Sequence, residues 1–368
     1  MKIAFRADAS VQIGTGHVMR CLTLAKEMRS RGHDCVFICR DLPGHLGHDV
    51  TDAGFALTLL PAPDPDFRPK PDDPAHAAWA GAPWKTDAEQ TRAAAPDVDW
   101  IIVDHYAFDA RWQSCARARN ARVMVIDDIA DRPHIADLLL DQNLGRLAGD
   151  YDGLVPAHCT RLIGPAYVLM RPEFARLRTT SLARRVKPRL DHILVSMGGV
   201  DRDDATSAVL DVLANSTLPD RCRITVVMGR NAPWLEKVQR SAQMMPKPTD
   251  VVIDVADMAS LMVSADLAIG GAGSTSWERC CLGVPSLLLV LADNQAAAAC
   301  AMDAANVAVL LGDIRIDPWE LHLMDYLAGL QTGKKLNDLS QQGAKVLDGL
   351  GTHRCAVTLD GLNRKTQK

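Results

Sequence analysis

Short apolar runs alternate along this chain with longer stretches in which apolar residues recur every three or four positions. That is the pattern of parallel strands joined by helical crossovers. The runs read as strands are residues 2–5, 35–39, 100–103, 123–126, 192–196, 223–228, 251–253, 267–270 and 285–289. They form two groups, separated by a basic, helix-prone segment at 171–189. The prediction is an α/β chain of two Rossmann-like parallel-sheet domains facing a cleft. It places the first domain at 1–170, a hinge at 171–190, the second domain at 191–345 and a helical extension at 346–368. Residues 61–85 carry seven prolines and cannot join a central sheet, so they read as an insertion or surface loop. Trp79 and Trp84 near its end argue that part of it packs on something, as a lid over the cleft would. The polar end at 363–368 reads as frayed.

Composition narrows the function. With 368 residues and 48% apolar content the chain can fill two cores. A net charge of -4 offers no basic field for nucleic acid or an anionic membrane, so any phosphate must be bound locally. The ten cysteines are scattered without a Cys-x-x-Cys spacing and read as reduced, mostly buried thiols. The first residues carry charges where a signal peptide needs an apolar run, and no stretch is long enough to span a bilayer. A cytoplasmic monomer acting on a small molecule, without stable membrane insertion, is the expectation.

The first strand leads into Ile13-Gly14-Thr15-Gly16-His17, which opens a helix whose apolar spacing runs through Leu22, Leu24 and Met28. Glycines let backbone N–H groups approach an anion, and a helix N-terminus adds about half a positive charge, so Gly14 and Gly16 are candidate diphosphate contacts. A dinucleotide fingerprint would need a third glycine where Met19 stands, and no ribose-binding acid closes the second strand. That disfavours a dehydrogenase. A histidine at the helix start, its pKa lowered by the positive dipole end, would stand neutral at the carboxyl end of the sheet, where open α/β folds bind ligands. His17 is therefore a candidate general base, although a capping or packing role fits the same position. Arg6, Asp8 and Arg20 beside it favour the functional reading; Arg6 and Asp8 are candidate substrate contacts, with a structural ion pair as the alternative.

The second half repeats the theme. A strand runs into Met197-Gly198-Gly199, giving Gly198 and Gly199 as possible anion contacts or a plain strand-to-helix turn. The segment Gly270-Gly271-Ala272-Gly273-Ser274-Thr275-Ser276-Trp277-Glu278 is more specific. Gly271, Gly273, Ser274 and Thr275 suit phosphate oxygens, and Glu278 could accept from both ribose hydroxyls or close a capping box. Asn294 lies at a further strand-to-helix junction, suited to sugar or phosphate or to a helix cap.

Taken together, these sites resemble the two-domain GT-B type fold of the lipid II-forming N-acetylglucosaminyltransferase. A narrower resemblance rests on Phe5-Arg6-Ala7-Asp8-Ala9-Ser10 with Gly14-Thr15-Gly16-His17, on Asp104-His105-Tyr106, on Ile126-Asp127-Asp128, on Gly164-Pro165-Ala166-Tyr167 through Phe174, on Met197-Gly198-Gly199-Val200-Asp201 and on the Gly270–Glu278 run. Their order over about residues 1–310 is similar to that in the UDP-sugar hydrolases of pseudaminic acid biosynthesis. The resemblance implies hydrolysis of UDP-2,4-diacetamido-2,4,6-trideoxy-β-L-altropyranose with no metal and no cofactor, and puts His17 in the position of the base. By matched motif, Tyr106 and His105 would face the sugar, Asp104 would orient His17 or a water, and Glu278 would hold the ribose. The insertion and the C-terminal extension depart from that pattern. An inverting glycosyltransferase of the same fold is the alternative, since one phosphate framework serves several acceptors.

Overall fold

The computed structural model describes residues 1–364. The chain forms two compact units: the first comprises Met1–Leu169 and the end of the chain from Gly351, the second Met170–Leu350.

In the first unit β1 (Lys2–Ala7), β2 (Asp34–Arg40), β3 (Ala56–Leu60), β4 (Trp100–Asp104), β5 (Arg122–Ile126), β6 (Leu138–Asp141) and β7 (Thr160–Ile163) make one sheet. Its order is β3-β2-β1-β4-β5-β6-β7, and every pairing is parallel. The central strands are apolar almost without interruption because both faces are covered, with Phe5 stacked on Phe37 at 5.0 Å on one side and Ile101, Val103 and Trp112 packed on the other.

The second unit repeats the plan with β8 (His192–Ser196), β9 (Arg223–Met228), β10 (Thr249–Ile253), β11 (Leu267–Gly271), β12 (Ser286–Val290) and β13 (Val309–Asp313), ordered β10-β9-β8-β11-β12-β13. These pairings are parallel too. In each sheet the order reverses beside the unit's first strand, between β1 and β4 and between β8 and β11. Open α/β sheets bind ligands beyond the carboxyl ends of the strands at such a switch point.

The organisation differs from the sequence expectation at two places. Residues 171–190 are no free hinge: the helix Pro172–Arg185 is built into the second unit, where the Ser181 hydroxyl and Arg185 Nε donate to Leu282 O at 2.6 and 3.0 Å. A buried guanidinium needs acceptors, and Arg185 finds further carbonyls on Met262 and Ala265. The last helix, Gly351–Arg364, is likewise no appendage. Cys355, Ala356 and Leu359 are fully buried in the first unit's core, and Asp360 accepts from Arg31 at 3.0 Å and lies 2.7 Å from His33. Of the end read as frayed, Lys365–Lys368 lies outside the described residues. No described helix is long and apolar enough to cross a membrane. All ten cysteines are free, eight of them buried.

Candidate active site

β1 ends at Ala7 and β4 at Asp104, side by side in register. The chain leaving β1 turns through Ser10–Gly14, where a small antiparallel bridge requires φ of +82° at Gly14, a conformation glycine adopts without steric cost. The helix Gly16–Ser30 then begins over the end of β4, with Thr15 making no side-chain cap. Its first turn therefore sets His17 and, one turn later, Arg20 on the Asp104 carboxylate.

His17 Nδ1 lies 2.6 Å from Asp104 Oδ1. Arg20 grips the same carboxylate through Nε to Oδ2 at 2.5 Å and Nη2 to Oδ1 at 2.6 Å, and reaches Asp128 through Nη1 at 3.1 Å and Nη2 at 2.7 Å. Burial alone would raise the Asp104 carboxyl, but Arg20 and then His17 hold it well below the usual carboxylate range. An ionised Asp104 can only accept, so His17 Nδ1 carries a proton and, in the neutral tautomer, Nε2 holds the lone pair. Tyr106 stands edge-on to His17 with ring centroids 4.8 Å apart and donates its hydroxyl to Asp128 Oδ2 at 2.6 Å. That phenol is pushed well up, first by burial and then by the Asp128 charge.

Several expected substrate contacts belong instead to the scaffold. Arg6 and Asp8 are completely buried, with Arg6 Nη1 donating to Asp8 Oδ1 at 2.6 Å and Nη2 to Asp87 Oδ2 at 2.7 Å. Arg40 joins them through its backbone N–H to Asp8 at 2.7 Å and Nη2 to Asp87 at 2.6 Å. So enclosed, Arg6 and Asp8 are closed to solvent and pair with one another and with their neighbours in the scaffold. His105 also turns away from the site. Its Nδ1 accepts from the Ala107 N–H at 3.1 Å, its Nε2 lies 3.3 Å from Asp8, and its ring stacks on Phe108. Tyr106 is only 4% exposed because Trp79 and His76, from the proline-rich insertion, cover it. Asp128, Trp79 and His76 are the site residues that residue-by-residue reading did not assign. Only the Asp127-Asp128 and tryptophan signals pointed toward them.

In the second unit the switch point falls between Ser196 and Gly270, which are paired Cα to Cα. A Cβ on Gly270 would sit 2.4 Å from Ser196 O and 2.3 Å from Arg279 Nη1, so the strands close up only with glycine there. Gly271 ends β11. Gly273, Ser274 and Thr275 then lead, half-buried or exposed, into the helix Thr275–Cys281, where Ser274 makes no side-chain cap. Behind this turn Arg279 is 1% exposed and donates through Nη2 to Gly271 O at 2.7 Å and Ser276 Oγ at 3.0 Å. No carboxylate pairs with it among the described residues, and burial lowers its pKa to about 10. A desolvated cation beneath a loop of backbone amides suits an anion. Glu278 follows one turn into the helix, its Oε1 3.0 Å from Arg171 Nη2, its carboxyl raised by burial against the opposing pull of Arg171.

Gly198 and Gly199 lie at the end of β8, but the helix after them, Ala205–Ala214, does not offer its N-terminus to an anion. The Asp201 carboxylate already accepts from the Ala205 and Thr206 N–H groups, each at 3.0 Å. Asn294 is exposed on the short turn Asp293–Gln295. Gln295, whose Oε1 accepts from the Leu291 N–H at 3.1 Å, borders Gly271 and Gly273 more closely. Among the described residues no group of three or more His, Cys, Asp or Glu is placed to hold a metal ion.

The chain is 26% identical over 275 residues to the UDP-2,4-diacetamido-2,4,6-trideoxy-beta-L-altropyranose hydrolase of Campylobacter jejuni, covering 74% of this chain and 86% of that protein. It is 30% identical over 202 residues to the spore coat polysaccharide biosynthesis protein SpsG of Bacillus subtilis, covering 54% of this chain and 58% of that one. Among solved structures, MurG of Acinetobacter baumannii superposes over 98% of this chain and 99% of its own with a TM-score of 0.68 at 16% identity, a likeness of fold. The fold class is thus two parallel-sheet α/β domains, as in the GT-B glycosyltransferases. Residues 192–342, which contain the whole second sheet, match the glycosyltransferase family 28 C-terminal domain.

Proposed function

We propose that this protein hydrolyses UDP-2,4-diacetamido-2,4,6-trideoxy-β-L-altropyranose at its anomeric carbon, releasing UDP and the free sugar. The observation that carries the reading is the 2.6 Å contact between His17 Nδ1 and a carboxylate kept ionised by Arg20, because it fixes the tautomer a base requires. The similarity to the Campylobacter jejuni hydrolase supplies the substrate.

His17 Nε2 takes a proton from water as the water oxygen bonds to C1 from the face opposite the nucleotide. The C1–O bond to the β-phosphate breaks, its electron pair leaves with UDP, and the configuration at C1 inverts. Asp104 stabilises the imidazolium that forms. In the second unit the Gly271–Thr275 amides, backed by Arg279, bind the diphosphate, and Glu278 accepts from the ribose hydroxyls.

The test is phosphorus and proton NMR of the protein with this UDP-sugar in ¹⁸O-water, without acceptor. Unlabelled UDP beside an inverted sugar labelled at C1 is expected. His17→Asn should lose roughly 10²–10⁴-fold in turnover while binding UDP normally. Unchanged turnover in that variant would remove His17 from the mechanism. The family 28 match favours a second reading, transfer of the sugar to an acceptor hydroxyl by the same base. Intact substrate in water, turned over only when an acceptor is added, would establish it.

A further inference from the structure

The proline-rich insertion is anchored at both ends of its inner turn. Arg40 Nη1 donates to Pro61 O at 2.8 Å, the Asp64 N–H donates to Gly81 O at 2.8 Å, and Arg111 Nη2 reaches Asp72 O at 3.2 Å. Within it, Ala77, Ala80 and Ala82 are buried. The 3-10 turn Ala77–Ala80 thereby holds Trp79 stacked on Tyr106, with centroids 5.6 Å apart and planes at 29°, and edge-on to His17 at 6.4 Å. His76 packs on both rings, 4.6 Å from Trp79 and 5.5 Å from Tyr106. Tyr106 is covered, whereas His76 and Trp79 keep part of their surface open beside the base. Burial lowers the His76 pKa, so at neutral pH it presents an uncharged ring.

We propose that His76 and Trp79 form the sugar-recognition wall, taking the apolar face of a 6-deoxy, acetamido-bearing pyranose next to His17, so that the insertion sets which UDP-sugar is processed. The inference rests on the UDP-sugar reading above, but not on whether water or another hydroxyl attacks. Aromatic faces reward C–H and methyl surface and offer nothing to a hydroxyl at C6, which would lose its water on docking.

Calorimetry in a His17→Asn background, where turnover is stopped, separates the parts. UDP, the UDP-trideoxy-altropyranose and UDP-N-acetylglucosamine are titrated into the parent and into added Trp79→Ala, Trp79→Phe and His76→Ala changes. The parent should bind the trideoxy sugar roughly tenfold tighter than UDP and tighter than the 6-hydroxy sugar. Trp79→Ala and His76→Ala should each lose most of that margin with UDP affinity kept within about twofold, and Trp79→Phe, which preserves a stacked ring, should retain it. A margin that survives Trp79→Ala, the absence of any margin in the parent, or equal affinity for the 6-hydroxy sugar overturns the wall. Release of UDP by the unsubstituted protein reads the hydrolysis separately: intact substrate with a margin sensitive to Trp79 removes hydrolysis and keeps the wall, while turnover with an insensitive margin does the reverse.

Discussion

Asp104 accepts from His17 and twice from Arg20 with two oxygens and no proton of its own. An asparagine there has one acceptor and one donor for the same three partners. If its amide nitrogen faces His17, Nδ1 must accept and the proton moves to Nε2, which removes the base; if it faces Arg20 Nε, two donors meet in a buried site. Asp104→Asn is expected to lower the single-turnover rate by roughly 10²–10⁴-fold, with UDP affinity unchanged by calorimetry. A variant of normal rate would show that the tautomer is set elsewhere. His17 stands out in the sequence as a candidate because its signal is local, a glycine turn followed at once by a helix. The carboxylate it contacts is 87 residues away, and only the parallel pairing of β1 with β4 brings the two together.

At the scale of elements, the helix Trp84–Ala94 delivers Asp87 to the end of the sheet. This side chain, fully buried, accepts from Arg6, Arg40 and Trp112 Nε1, the last at 2.9 Å, and so joins β1, β2 and the helix Ala110–Ala116. Burial would raise its carboxyl, but the two guanidinium groups hold it below the ordinary range. Removing it leaves the Arg6 guanidinium with Asp8 alone and the Arg40 guanidinium with only Pro61 O and Gln90 Oε1, so Asp87→Ala should destabilise the first unit by about 3–5 kcal/mol in denaturant unfolding. A loss under about 1 kcal/mol would mean that water enters the network. Nothing in the run Trp84-Lys85-Thr86-Asp87 marks that role, since an aspartate in a first helical turn reads as a dipole partner on the surface. The strands show the same division. Central strands such as β1, β4 and β11 were readable as apolar runs because both faces are buried, whereas β3, β7 and β13 lie on sheet edges with mixed exposure; the edge strand β10 stood out through its apolar Val251-Val252-Ile253.

For the whole molecule the chain's route matters more than its length. It passes from the first unit to the second at Leu169–Met170 and returns at Leu350–Gly351, so the N-terminal core is completed by a segment more than 180 positions further along the chain. The helix Gly351–Arg364 contributes Cys355, Ala356 and Leu359, each fully buried, to the cluster that contains Val18, Leu22 and Leu24 of the helix bearing His17. Each deleted core side chain of this kind typically costs about 2–5 kcal/mol when large, and a whole helix exposes the apolar face it covered. None of those three residues belongs to the second unit's core cluster around Ile193, Leu210 and Leu287. A chain ending at Leu350 should therefore unfold in two transitions, with hydrogen-exchange protection lost across Met1–Leu169 and preserved across Met170–Leu350. Under the proposed division of labour it should still bind UDP while losing turnover. One cooperative transition, with protection lost equally in both units, would show that they fold as a single block and that the helix serves the molecule as a whole.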